Sequence, residues 1–206
     1  MRFRLPLFSL CLLACLLALS LFAQTTVAQN GRAPSQSPLE EAFARLEWRS
    51  IGPANMGGRI ADIEGVPGDA NVVYVASASG GLWKTTNGGV TWKPIFERQG
   101  TISIGDIALA PGNPDVVWVG TGESAVRNSV SFGDGVYKST DGGKTWQHMG
   151  LKETERISAI AINPQNPDVV YIGALGHAFG PNEERGVFMT TDGGKTWTKT
   201  LYIDNQ

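Results

Sequence analysis

Most side chains able to bind or react fall in two polar stretches. One holds Glu123, Arg127, Asn128 and Asp134, the other His177, Glu183, Glu184 and Arg185. Arg59 stands upstream of both, close to Asp62 and Glu64. Arg presents a planar fork of donors to carboxylates or sugar hydroxyls, and Glu and His accept or donate around it. Arg59, Glu123, Arg127 and His177 are therefore the candidate ligand-binding set, and no residue is assigned a catalytic role. The same polar residues also suit solvated loops, and a histidine between Gly176 and Ala178 more often bonds its own loop than catalyses. Pattern excludes several chemistries. There is no His-x-x-x-His zinc pair, no Gly-x-Ser-x-Gly elbow and no phosphate-cradling loop, so neither a metal nor a cofactor is expected. Both cysteines, Cys11 and Cys15, lie in the first apolar stretch. Nothing downstream can form a disulfide framework, a zinc cluster or a thiol nucleophile.

What must position those residues is a repeat. Thr85-Thr86-Asn87-Gly88-Gly89-Val90-Thr91-Trp92 recurs as Ser139-Thr140-Asp141-Gly142-Gly143-Lys144-Thr145-Trp146 and as Thr190-Thr191-Asp192-Gly193-Gly194-Lys195-Thr196-Trp197. The tryptophans are 54 and 51 residues apart. Each copy follows a short β run (Gly81–Lys84, Gly135–Lys138, Gly186–Met189), and before that a β-branched run (Val72–Val75, Val116–Val119, Val169–Ile172). A further run precedes each of these: 59–66, 102–110 and 157–162. Four strand signals per period of about 50 residues predict an all-β chain of β-propeller blades. The blades run about Trp48–Gln99, Gly100–Leu151 and Lys152–Leu201, with Leu201 to Gln206 resembling the start of a fourth. Trp83, Trp118, Val136, Tyr171 and Val187 are expected to be buried between blades. The stretch between second and third strands spans 8 residues from Tyr74 to Leu82, 18 from Trp118 to Val136 and 16 from Tyr171 to Val187. Variable polar loops on a rigid scaffold are where binding residues concentrate.

The repeated phrase resembles the Asp-box, or BNR, repeat of sialidases, sortilin-type receptors and xyloglucanase-like glycosyl hydrolases. Trp48–Pro53, Gly57–Ile60, Gly80–Lys84 and Gly120–Glu123 are similar to exported bacterial sortilin N-terminal-like or BNR-repeat glycosyl hydrolases. The resemblance implies that the Asp-box hairpin lies opposite the ligand face. Asn87, Trp92, Asp141, Trp146, Asp192 and Trp197 are accordingly structural: Asp and Asn accept turn N–H groups, Gly supplies positive φ, and Trp plugs the hairpin. Asn87 keeps the accepting oxygen without the charge, which a turn tolerates and a carboxylate site would not. The sialidase Phe/Tyr-Arg-Ile-Pro opening is reduced to Arg59-Ile60. Xyloglucanase-like enzymes use two carboxylates, the first in a Thr-Asp-Ile-Gly-Gly phrase; here the phrase reads Ser77-Ala78-Ser79-Gly80-Gly81, with Ala78 in the acid's place. Asp62 or Glu64 could substitute. Two functions follow as expectations: a propeller of sortilin N-terminal-like type binding a peptide or glycan, or a secreted glycoside hydrolase of xyloglucanase type with acids partly outside this stretch.

Composition sets the remaining bounds. The chain has 206 residues, with 17 Lys+Arg against 19 Asp+Glu and a net charge of −2. No basic surface for nucleic acid is implied. Gly is 26 of the 206, nearly double its usual share of about 7%, as many tight turns require. Residues 1–28 carry Arg2 and Arg4 before the apolar run from Leu5 to Ala23, with the small residues Thr26 and Ala28 at the third and first positions before a cut that precedes Gln29. This is the layout of a signal peptide; an uncleaved anchor and a lipidated Cys15 are the alternatives, and all three place the protein outside the cytosol, secreted, periplasmic or at the cell surface. Residues 29–47 read as a tether with a short helix over 39–46, and 48–206 as the first blades of a longer chain. Expected partners are a glycan or peptide and the remaining blades of the same chain, with membrane contact only through the signal segment.

Overall fold

The computed structural model describes residues 59–126 and 129–204. The leader, the tether, the short helix, the Trp48–Pro53 phrase and Arg127 lie outside them. Among the described residues, twelve strands form three four-stranded antiparallel sheets, each a meander. The first blade is β1 (Ile60–Val66), β2 (Asp69–Ser77), β3 (Gly81–Thr85) and β4 (Lys93–Pro94). The second is β5 (Ile104–Ala110), β6 (Asn113–Thr121), β7 (Val136–Ser139) and β8 (Gln147–His148). The third is β9 (Ile157–Ile162), β10 (Val170–Ala174), β11 (Gly186–Thr190) and β12 (Thr198–Leu201). These are blades of a β-propeller. The only helical element described is a 3-10 turn at Lys152–Thr154 between blades 2 and 3, and residues 202–204 form no strand. β4 and β8 are two residues long and β4 ends in Pro94, which blunts the sheet edge.

The Asp-box turn explains itself in hydrogen bonds. Asp141 Oδ1 accepts from the Thr145 amide (2.9 Å) and the Ser139 hydroxyl (2.8 Å), while Oδ2 accepts from the Thr145 hydroxyl (2.6 Å). These bonds hold its carboxyl well below the usual carboxylate range. Asn87 accepts from the Thr91 amide through Oδ1 and donates to the Thr91 hydroxyl through Nδ2, both at 2.9 Å. Gly142 and Gly143 supply the positive φ (70° and 88°) that the turn demands. The next residues bind the neighbouring hairpin: Gly88, Gly142 and Gly193 donate their amides to Asn71, Asp115 and Asp168 carbonyls. The Asp-boxes thus lie at the end of each blade that carries its first hairpin, away from the β2–β3, β6–β7 and β10–β11 connections.

The cores lie in the seams between blades. Tyr74, Leu82 and Phe96 of blade 1 pack with Ile104, Ile107, Val119 and Tyr137 of blade 2. Trp118 and Val136 of blade 2 pack with Ile157, Ile172 and Phe188 of blade 3. Each seam also carries polar latches. Trp146 Nε1 donates back to the Ile95 carbonyl and Trp197 Nε1 to that of Met149, both at 2.7 Å. Lys84 and Lys138 reach forward to the Gly142 and Gly193 carbonyls (2.8 and 3.2 Å), lying over the Tyr74 and Trp118 rings. Asp62 accepts from the Ile107 amide of the next blade (3.2 Å), and Asp106 from that of Ile160 (2.6 Å). In blade 3 the Asp position is Ala159 and the Lys position is Met189.

Trp118 and Val136 are fully buried as expected, but Tyr171 is 42% exposed and Trp83 and Val187 are half-buried. The correction has one cause. Tyr171 and Val187 occupy the repeat positions of Tyr74 and Leu82, which a following blade covers. Trp83 occupies that of Tyr137, which faces a preceding blade. No sheet among the described residues covers those two outer faces.

Candidate functional site

The loop end of blades 1 and 2 carries two adjoining clefts, and three connections build them. The β2–β3 turn is fixed where Ala78 N donates to the Arg59 carbonyl (3.0 Å). The β4–β5 connection crosses beside it: the Ser103 hydroxyl bonds the carbonyls of Ala78 (2.7 Å) and Ser131 (3.2 Å), and its own carbonyl accepts from Gly122 N. The β6–β7 loop closes the third side, pinned where Glu123 N donates to Ser131 O and Thr101 Oγ1 to Phe132 O.

The smaller cleft, about 220 Å³, is lined by Arg59, Ser79, Glu123 and Ser129–Ser131. Arg59 and Glu123 form an ion pair at its wall. The Glu123 residue is only 3% exposed whereas the Arg59 side chain is 35% exposed. Burying one charge demands its partner, so the pair fixes the two loops against each other and uses up the guanidinium's charge locally. The larger cleft, about 590 Å³, runs from Ser79 past Thr101 and Ser103 to Phe132 and Asp134. The Asp134 carboxylate accepts from the Tyr137 hydroxyl (2.7 Å), and its amide donates to Thr121 Oγ1 (2.8 Å), whose own proton goes to the Gly135 carbonyl (2.7 Å). Burial, and then the Asp134 carboxylate, push the Tyr137 hydroxyl up to about 12, so it remains a donor at any working pH.

Of the expected set, the structure joins Arg59 and Glu123. Arg127 lies outside the described residues. His177 is half-buried in the β10–β11 loop of blade 3 and lines neither cleft. Ala78 is buried beside Ser103, so no carboxylate stands at that point. Asp62 and Glu64 line neither cleft. Asp62 bonds Asp106 as well as Ile107, burial being the main reason that Asp106 is raised to about 7, with Asp62 and Glu64 adding to it. Glu64 is raised too, by burial and then by Asp62. These three acids belong to the first strands of their blades. Sequence reasoning passed over Phe132, an apolar residue with no pattern around it, and Asp134 as a site; the Tyr three residues after Asp134 was the available signal.

The BNR/Asp-box repeat model matches residues 137–148 and 188–199. These two stretches carry the BNR/Asp-box repeat. The matched residues run from β7 to β8 and from β11 to β12, through the Asp-box turns of blades 2 and 3. The Asp-box chain is similar to xyloglucanase Xgh74A of Acetivibrio thermocellus, at 23% identity over 64% of this chain and 24% of that protein. It is also similar to a probable oligoxyloglucan-reducing end-specific xyloglucanase of Neosartorya fischeri, at 24% identity over 80% of this chain and 20% of that protein. Among solved structures, an ancestral GH74 enzyme superposes with a TM-score of 0.59 at 27% identity, over 77% of this chain and 20% of that one. The GH74 xyloglucanase from Xanthomonas campestris shares the fold at a TM-score of 0.52 and 17% identity, over 74% of this chain and 22% of that one. The chain therefore spans about a quarter or less of the length of these relatives.

Proposed function

We propose that the Asp-box chain is the opening propeller segment of an exported glycoside hydrolase of xyloglucanase type, contributing a glycan-binding face. The observation that carries the reading is the similarity to xyloglucanases over 64% and 80% of this chain. It favours a glycan over a peptide ligand and the hydrolase reading over a receptor-like propeller. The two clefts at the loop end supply the concave, hydroxyl-rich and carboxylate-bearing surface that a polysaccharide needs. The signal-peptide layout of residues 1–28 supports export, which would bring the protein to polysaccharide outside the cell.

Ala78 favours a second reading, in which this propeller binds glycan without turning it over. Inverting and retaining hydrolysis both need two carboxylates flanking the bond, and the phrase that carries one in xyloglucanase-like enzymes holds none here. One experiment separates the two. The intact protein is incubated with xyloglucan, and new reducing ends and retention on immobilised xyloglucan are both measured. Release of reducing ends supports the hydrolase; retention without release supports the binding propeller. Neither retention nor release discards both.

A further inference from the structure

We propose that the larger cleft between blades 1 and 2 is a subsite for a neutral pyranose, with Phe132 as the stacking platform and Asp134 as the hydroxyl acceptor. This rests on the glycan reading above and adds a place and a sugar class to it.

Phe132 is 68% exposed at the wall of a concavity. A ring so placed contributes little to the core, yet its backbone is not loose. Its carbonyl accepts from the Thr101 hydroxyl, and the flanking Ser131 carbonyl and Gly133 amide are bonded to Glu123 and Glu155 respectively. The fold therefore presents an apolar face to solvent on a fixed mount, the preorganisation that recognition requires. The opposite requirement, a polar edge, is met by Asp134. A carboxylate has about four lone-pair sites, and the Tyr137 hydroxyl occupies one of them at 2.7 Å. Acceptor capacity is left toward the cleft that Asp134 lines. A pyranose with equatorial hydroxyls has the matching shape: its C–H face lies on the ring while hydroxyls at its edge donate to the carboxylate.

Charge selects the sugar class. Among the described residues the larger cleft is lined by an acid and by no Lys or Arg, and the Arg59 beside it is engaged by Glu123. Uronic or sialic acids would meet an uncompensated carboxylate, whereas neutral sugars meet only a good acceptor. The volume of about 590 Å³ falls within the range of about 300–1,000 Å³ usual for small-ligand sites.

The test is titration of the intact protein with xyloglucan heptasaccharide and with oligogalacturonate by calorimetry. Phe132→Ala and Asp134→Asn are compared with Phe179→Ala, which is more open still, at 78%, but lies in the blade 3 loop outside both clefts. Phe132→Ala should weaken heptasaccharide binding about tenfold or more, the size of effect that losing one stacked aromatic or one charged hydrogen bond produces. Asp134→Asn should weaken it similarly and narrow the preference over oligogalacturonate, and Phe179→Ala should leave both titrations unchanged. Melting temperatures should stay within a degree or two for the two exposed phenylalanines, since neither is in a core. Wild-type affinity in both Phe132→Ala and Asp134→Asn overturns the subsite while leaving the glycan reading intact. Failure of the unmodified protein to bind any neutral oligosaccharide sinks that reading itself, and preference for oligogalacturonate refutes the charge argument.

Discussion

Asp106→Asn should stabilise the protein at pH 8 and leave it nearly unchanged at pH 4.5. Asp106 accepts from the Ile160 amide across the blade 2–3 seam and bonds Asp62 across the blade 1–2 seam, with Glu64 also facing it. β9, on its other side, carries no titratable residue, and β6 carries only Asp115 near its start. Its carboxyl is raised from 3.8 to about 7, so the fold binds that proton more tightly than the unfolded chain does. The resulting stabilisation is complete below about pH 4 and is lost as pH rises through about 7. At 1.36 kcal/mol per pH unit the ceiling is about 4 kcal/mol, and contact with water reduces it to about 1–2 kcal/mol. Asn keeps an acceptor for Ile160 and a donor toward Asp62, and does not titrate. Urea unfolding at pH 4.5, 6 and 8 should therefore show the variant level with the parent in acid and ahead by about 1–2 kcal/mol at pH 8. Asp106→Ala should be less stable at every pH, by about 1–3 kcal/mol, because the Ile160 amide loses its partner. A wild-type-minus-Asn difference that stays constant across this range would refute the shared-proton account.

Asp141→Ala should lower stability by about 2 kcal/mol through loss of the turn acceptor, read by thermal melting, whereas Asp141→Asn should cost much less, as Asn87 serves the same turn in blade 1. Trp146→Phe keeps an aromatic ring but orphans the Ile95 carbonyl, so chemical denaturation should show a loss of about 1–3 kcal/mol. Gly105→Ala would drive a methyl into the Ile157 and Gly122 carbonyls; a loss above about 3 kcal/mol, or failure to fold, is the expected result of an expression and melting screen.

The blades were legible because their signals are local. A Gly-Gly turn, a following Thr-Trp and alternating β-branched runs recur in register, and each names its own hairpin without reference to distant residues. The Asp-box network could be read from residue types alone, since Asn87 in the place of Asp already argued for a turn acceptor. Tyr171 shows where that reasoning stopped. Its residue type matches Tyr74 and Trp118, but burial depends on the sheet stacked beyond it, which periodicity within one blade does not specify. The site was harder for the same reason. Arg59 and Glu123 are 64 residues apart and meet only because two blades stack. Phe132 had no pattern at all, because an exposed ring in an irregular loop leaves no periodic trace. Nothing in the sequence around Asp106 marks it, and its role emerges only from the Ile160 amide and Asp62 carboxylate on either side.

The latches between blades also determine how damage spreads. Trp146 and Trp197 each reach back one blade, and Lys84, Lys138, Asp62 and Asp106 forward one, so every term joins nearest neighbours, as in a one-dimensional lattice. A lesion at Trp146 and another at Trp197 belong to separate couplings, and their costs should add with little cross-term. Cooperativity along the stack is then set by the weakest coupling. With Ala159 and Met189 in the Asp and Lys positions, the outer face of blade 3 offers neither forward latch, so a coupling made through that face would be the weaker one.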